Sequence, residues 1–296
     1  MMQISYNTDQ VKKINSLGIT FKNMTLSRFN PFKKKTNINV VSLRGVIGDM
    51  GRFSKGLTIE NTAPILEKAF TTKKPKVVVI QINSPGGSPV QSELIYNKIR
   101  SLAEKNKVKV ITIAEDVAAS GGYMLMIAGD ELIANKSSIV GSIGVISASF
   151  GFKDLIEKIG VKRRIFTAGE NKSFLDPFVD VQDKDVEKLI KVQTSIFKNF
   201  KALVLKNRKE KIEADKVCNG EFWTGEQAID LGLVDSNDAL VDYLDNNYEK
   251  NYRLRSIESK KSFLKGIFSS RSNATDSISG LVETLYEEAH WSRYGR

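Results

Sequence analysis

The chain has 296 residues, 41% of them hydrophobic and 27% charged, a globular composition long enough to bury an ample core in one large domain or two. Its formal net charge of +11 favours anionic neighbours, and without a Lys/Arg-rich groove interleaved with stacking aromatics an acidic membrane surface fits better than nucleic acid. The one cysteine, Cys218 in a polar stretch, excludes an intrachain disulfide and a cysteine-rich zinc site and reads as an ordinary thiol; nothing implies a cofactor.

Residues 1–36 form a polar, basic N-terminal extension with no sustained period. Its first residues lack the charged and apolar regions of a signal peptide, and no segment approaches the roughly 18 apolar residues of a membrane span. Together these predict an intracellular protein, cytoplasmic or peripheral on the inner membrane. Phe29, Phe32 and Lys33-Lys34-Lys35 offer a contact for an anionic leaflet, worth about 1 kcal/mol per basic residue; a plain linker accounts for them equally well.

The core domain is expected over 37–255. It opens with a β-rich run, I-N-V-V-S-L, ending at Gly45. A helix is predicted from Thr62, with Pro64 in its first turn and Ile65, Leu66, Ala69 and Phe70 on one face. V-V-V-I-Q-I (77–82) reads as a strand buried on both faces of a parallel sheet. Ser88, Pro89 and Gln91 then spell a capping box, opening a helix with Leu94, Ile95, Ile99 and Leu102 inward. A second buried strand, 108–114, completes a βαβ unit and runs into A-A-S-G-G-Y. Short strands fill 131–150, and another is predicted at about 161–167. A long amphipathic helix over 185–205 carries Val186, Leu189, Ile190, Phe197, Phe200 and Val204 on one stripe. Thr224 and Gln227 cap a short helix closed by Gly232. The polar tail, 256–296, holds an amphipathic candidate at 277–289, facing either its own domain or a neighbour.

Two turns carry the chemistry. N-S-P-G-G (83–87) and A-A-S-G-G-Y (118–123) end consecutive parallel strands in paired glycines, leaving backbone N–H groups open at the sheet's carboxyl edge, where they can bind an oxyanion. Each turn alone also reads as an ordinary strand-to-helix connection, with Ser120 as an N-cap. A serine nucleophile needs a base, and the one histidine, His290, lies in the polar tail. Lys172, in G-E-N-K-S-F-L-D-P-F, can replace it if burial lowers its pKa by about 3 units, near 4 kcal/mol. Phe174, Leu175, Pro177 and Phe178 are the expected apolar wall; otherwise Lys172 is one more solvated lysine.

N-S-P-G-G, A-A-S-G-G-Y, V-G-S-I-G-V, N-K-S-F-L-D-P-F and W-T-G-E-Q-A-I-D-L-G-L-V-D occur in the order and spacing of the signal peptide peptidase family, SppA and SohB, which this chain resembles over roughly 37–240. The resemblance implies an α/β fold of the ClpP/crotonase type, a β-superhelix of repeated ββα units with flanking helices. It also implies a serine endopeptidase with Ser120 as nucleophile, Lys172 as general base, Ser142 orienting the lysine, and oxyanion-hole N–H groups from Gly87 and Gly121. Small hydrophobic peptides such as remnant signal peptides would be the substrates, and the half-length chain would form a homo-oligomeric ring. Two other readings stay open: a crotonase-like acyl-CoA hydratase or hydrolase, and a catalytically silent scaffold for membrane proteins.

Overall fold

The computed structural model describes residues 35–50, 56–258, 284 and 287–295. The chain divides into two units, Met1–Lys34 and Lys35–Arg296, and every element below belongs to the second. β1 (Thr36–Arg44), β2 (Val77–Ser84) and β3 (Lys109–Ala119) pair in parallel side by side. Helices α1 (Ile59–Thr71) and α2 (Pro89–Asn106) make the crossovers. β2 is almost wholly buried, as a strand covered on both faces must be.

β3 organises the domain because it serves two partners. Its first half pairs with β4 (Glu131–Ala134), and its second half with β5 (Ile139–Gly141). The sheet order is β6-β5-β3-β2-β1-β7, with β4 beside β3; β6 is Phe222–Thr224 and β7 is Tyr252–Ser256. Isolated bridges from Ile47 to Leu57 and to Gly87 extend the pattern beyond β1 and β2. Each turn of chain thus gives a long strand, a short edge segment and a helix, the ClpP/crotonase-like α/β arrangement that the motifs imply. The main core lies between the sheet and α1, α2, α3 (Gly121–Met126) and α5 (Asp183–Arg208), with Phe70, Ile95, Ile99, Tyr123, Leu125 and Val204 inside; the short helices α4 (Lys153–Lys158) and α6 (Ala214–Val217) precede and follow α5 in the chain.

Several boundaries differ from the sequence expectation for physical reasons. α1 begins at Ile59, not Thr62, because the Thr58 hydroxyl accepts from Asn61 N. Pro64 therefore lies inside the helix; the carbonyl it deprives of a donor belongs to exposed Glu60 and can bond water. Ser88 caps α2, but Gln91 does not close the box: its Oε1 accepts instead from Ile59 N at 2.8 Å, so one helix start caps another. Leu94 is 42% exposed rather than inward. No strand forms at 161–167; Val161, Ile165 and Phe166 are exposed and have no partner strand among the described residues. The α5 stripe packs only at its C-terminal half, where Phe200 and Val204 are buried, while Val186 and Ile190 stay exposed. Cys218 is buried in the core, and burial pushes its thiol pKa up. Of the 277–289 candidate, Ile278, Leu281, Val282 and Leu285 lie outside the described residues; residues 287–292 are helical.

An ion pair with a buried arginine locks α5 to the loop after α7 (Gly225–Asp230). The Arg208 guanidinium donates to both Asp235 carboxylate oxygens, at 2.9 and 3.0 Å, and to the Gly232 carbonyl. Burial alone would raise the Asp235 carboxyl, but Lys211, the Leu132 N–H and Arg208 outweigh it and hold its pKa below the usual value. Arg208 is the buried partner, so removing the carboxylate strands its charge in the core, and Asp235→Ala is expected to cost about 3 kcal/mol in denaturant unfolding. A depressed carboxylate stabilises the fold above its unfolded pKa. Wild-type stability should therefore fall as pH drops below about 4, and the variant should lose much of that dependence.

Candidate active site

The site forms where β2 and β3 end. After β2 the chain turns through Pro85-Gly86-Gly87 and is pinned to Ile47: Ile47 N donates to Gly86 O at 2.8 Å, and Ser88 N to Ile47 O at 2.7 Å. The Gly87 N–H between them is used in neither bond. A Cβ on Gly87 would lie 2.0 Å from Ile47 O, and φ is +141°, so no side chain fits there. Gly86, at φ +103°, lies directly against the next turn: a Cβ there would stand 2.8 Å from both Gly121 N and Ser120 Cβ.

Ser120 follows β3 at φ +52° and ψ −119°, outside the regions a serine ordinarily occupies. Its N–H donates to Gly141 O at 2.8 Å and its carbonyl accepts from Met124 N at 3.0 Å, so both sides of the residue are tied down. It precedes α3, yet its hydroxyl makes no capping bond. The N-cap alternative from sequence is thus met in position but not in bonding. Gly121 opens α3, where the N–H has no intrahelical carbonyl to bond. Strain of this kind costs on the order of 1–3 kcal/mol and persists where the surroundings over-determine it.

Three cavities meet at Ser120. One of about 600 Å³ is lined by Gly87, Ser120, Gly121, Met124, Phe200 and Leu203. Another, of about 360 Å³, takes in Ser120, Ser142, Gly144, Phe197, Cys218 and Arg293. A third, of about 380 Å³, has Ile47, Pro85, Gly87, Ser120, His290 and Arg293 on its walls. Ser142 follows β5, buried, also at positive φ (+52°), with its N–H donating to Glu221 O at 2.6 Å. The structure therefore brings Ser120, Gly87, Gly121 and Ser142 to one place.

Lys172 is not brought there within one chain. It is exposed, in a turn where its N–H donates to Gly169 O at 3.2 Å, and it lines none of these cavities. Its expected apolar wall packs elsewhere: Phe178 stacks on Phe152 at 5.6 Å, and Arg163 covers the Phe178 ring while pairing with Asp176. The surrounding segment and the start of α5 expose Ile146, Phe150, Val161, Phe166, Val181, Ile190 and Val192.

Sequence reasoning missed the tail. His290 and Arg293 wall the cavities, and Tyr294 lies buried with its hydroxyl 3.3 Å from Ser142 Oγ. No local periodicity signals a contact spanning 152 residues. Strain at Ser120 carries its own prediction. Ser120→Gly should be about 1 kcal/mol more stable than Ser120→Ala in denaturant unfolding, because glycine accepts the positive φ that alanine does not.

The chain matches the family model for peptidase family S49 over residues 102–253 and the Clp protease model over 62–140. It is 44% identical over 273 residues to a Brucella melitensis protein named Na(+)/H(+) antiporter NhaA, covering 88% of this chain and 37% of that protein. It is 31% identical over 199 residues to the chloroplastic serine protease SPPA of Arabidopsis thaliana (66% and 29% covered). With protease 4 of Haemophilus influenzae it shares 32% identity over 214 residues (70% and 34% covered). The chain spans about a third of the length of these three relatives. Among the described residues, no helix is long and apolar enough to cross a membrane.

Proposed function

The chain belongs to peptidase family S49, and from that membership we propose that it is a serine endopeptidase working through Ser120 and Lys172. One observation carries the reading: Ser120 is held at positive φ, without a capping bond, where three cavities meet beside the Gly87 and Gly121 backbone. A peptide carbonyl placed there meets the hydroxyl on one side and two N–H donors on the other. Ser120 Oγ attacks the carbonyl carbon while Lys172, as the neutral amine, takes the hydroxyl proton. The Gly87 and Gly121 N–H groups stabilise the oxyanion. The C–N bond then breaks as the lysine returns its proton to the leaving amine. Water, deprotonated by the same lysine, hydrolyses the acyl-enzyme and frees Ser120.

Lys172 reaches Ser120, in this reading, from a second copy of the chain in a homo-oligomeric ring. Its segment exposes large apolar residues, which a soluble monomer rarely gathers in one region. A neighbour covering that face would strip water from the lysine, the condition a lysine base requires. Substrate class follows from the larger cavity: Pro89, Val90, Met124, Phe200 and Leu203 suit an apolar side chain, hence small hydrophobic peptides such as remnant signal peptides. Basic charge and the pairing of a similar domain with a longer Brucella melitensis protein named for Na(+)/H(+) antiport support work at an anionic membrane surface.

Hydrolysis of a fluorogenic hydrophobic peptide across pH 6 to 10 tests the reading. Ser120→Ala and Lys172→Ala should each lose roughly 10²–10⁴-fold in rate, and the wild-type rate should rise through a pKa well below that of free lysine. Mixing the two inactive variants should restore activity, because some sites then join an intact serine to an intact lysine. Variants as active as wild type would overturn the dyad. Losses that mixing cannot rescue would place both residues of a site in one chain.

A further inference from the structure

We propose that Tyr294 is a positioning residue: its hydroxyl fixes the Ser142 hydroxyl so that Ser142 presents lone pairs, not its proton, to the catalytic amine. This rests on the Ser120–Lys172 reading and extends it to a tail residue well beyond the span matched by the family model.

Tyr294 is 7% exposed, packed with Val117, Ala119, Ile139 and Trp291, and meets Phe222 edge-on at 5.3 Å. This packing fixes the ring against β3 and β5, the two strands that lead into Ser120 and Ser142. The hydroxyl stands 3.3 Å from Ser142 Oγ and 3.5 Å from the Pro85 carbonyl oxygen. It thus sits between the turn that supplies Gly87 and the serine beside the nucleophile.

Proton counting gives the consequence. Tyr294 has one proton and two neighbouring oxygens. The Pro85 carbonyl can only accept, whereas Ser142 can donate or accept. The Tyr294 hydroxyl is within donating reach of both oxygens; assigning its proton to the Pro85 carbonyl leaves the Ser142 proton to the Tyr294 oxygen. Ser142 then keeps its lone pairs for an N–H of the incoming amine. A neutral amine held by one N–H is oriented, and its own lone pair is left for the Ser120 proton. Without the tyrosine oxygen, the Ser142 hydroxyl turns freely and can donate to the amine, occupying the lone pair that catalysis needs.

A double-mutant cycle tests this, using the full chain, a fluorogenic hydrophobic peptide, and Tyr294→Phe, Ser142→Ala and the double variant. Phenylalanine keeps the ring packing and removes only the oxygen. Tyr294→Phe should lower kcat about tenfold with KM within about twofold, and should add nothing once Ser142 is alanine. Wild-type kcat in Tyr294→Phe, or losses that multiply in the double variant, would overturn the proposal. Should the wild type cleave no peptide, the Ser120–Lys172 reading fails instead. Thermal melting of the same four proteins then decides the hydroxyl tie: shared, non-additive losses uphold it, and additive losses reject it.

Discussion

The close approach of two glycine turns is the constraint on which this structure depends. Gly86 lies so tightly against Ser120 and Gly121 that even a methyl group on it would overlap both. That contact sets the ends of β2 and β3 at a fixed distance. It also helps hold Ser120 in a conformation it would not adopt alone. The parallel pairing behind it, with β2 buried on both faces, supplies the rigidity. Strain of a few kcal/mol in one residue is small against a core of this size, so the fold can sustain it without loss of order.

The same geometry bears on why the proposed Ser120–Lys172 pair is not assembled within one chain. Backbone N–H donors and the serine hydroxyl come from turns the sheet itself positions. A base must come from a side chain, and the segment bearing Lys172 has no strand among the described residues to anchor it. Its large apolar residues face outward and Lys172 itself is exposed, so a solitary copy leaves the lysine in water. In the proposed reading, assembly with a second copy supplies both the contact and the desolvation, coupling activity to oligomerisation.

Sequence was most legible where local physics and tertiary position agree. The continuous apolar run 77–82 is a fully buried strand, and Ser88 and Thr224 cap their helices as their spacing requires. It misled where the outcome depends on a partner. The apolar residues at 161–167 have strand character, but no described strand pairs with them. The first half of the α5 stripe, Val186 and Ile190, is periodic yet uncovered. Gln91 has capping-box spacing, but its Oε1 accepts instead from Ile59 N, 32 residues away. For the candidate site, the glycine turns and Ser120 were readable from residue type, whereas Ser142 was expected only from the family resemblance. Arg293, His290 and Tyr294 were not, since a polar tail shows no pattern for the surface on which it docks.

Covalent capture of the nucleophile separates a lysine-activated Ser120 from an inert one. An electrophilic phosphonate that traps activated serines should add one equivalent to the wild-type chain, with the adduct mapped by peptide mass spectrometry to Ser120. Labelling should drop sharply in Lys172→Ala. An adduct on another residue, no adduct, or equal labelling without Lys172 would contradict a lysine-activated Ser120.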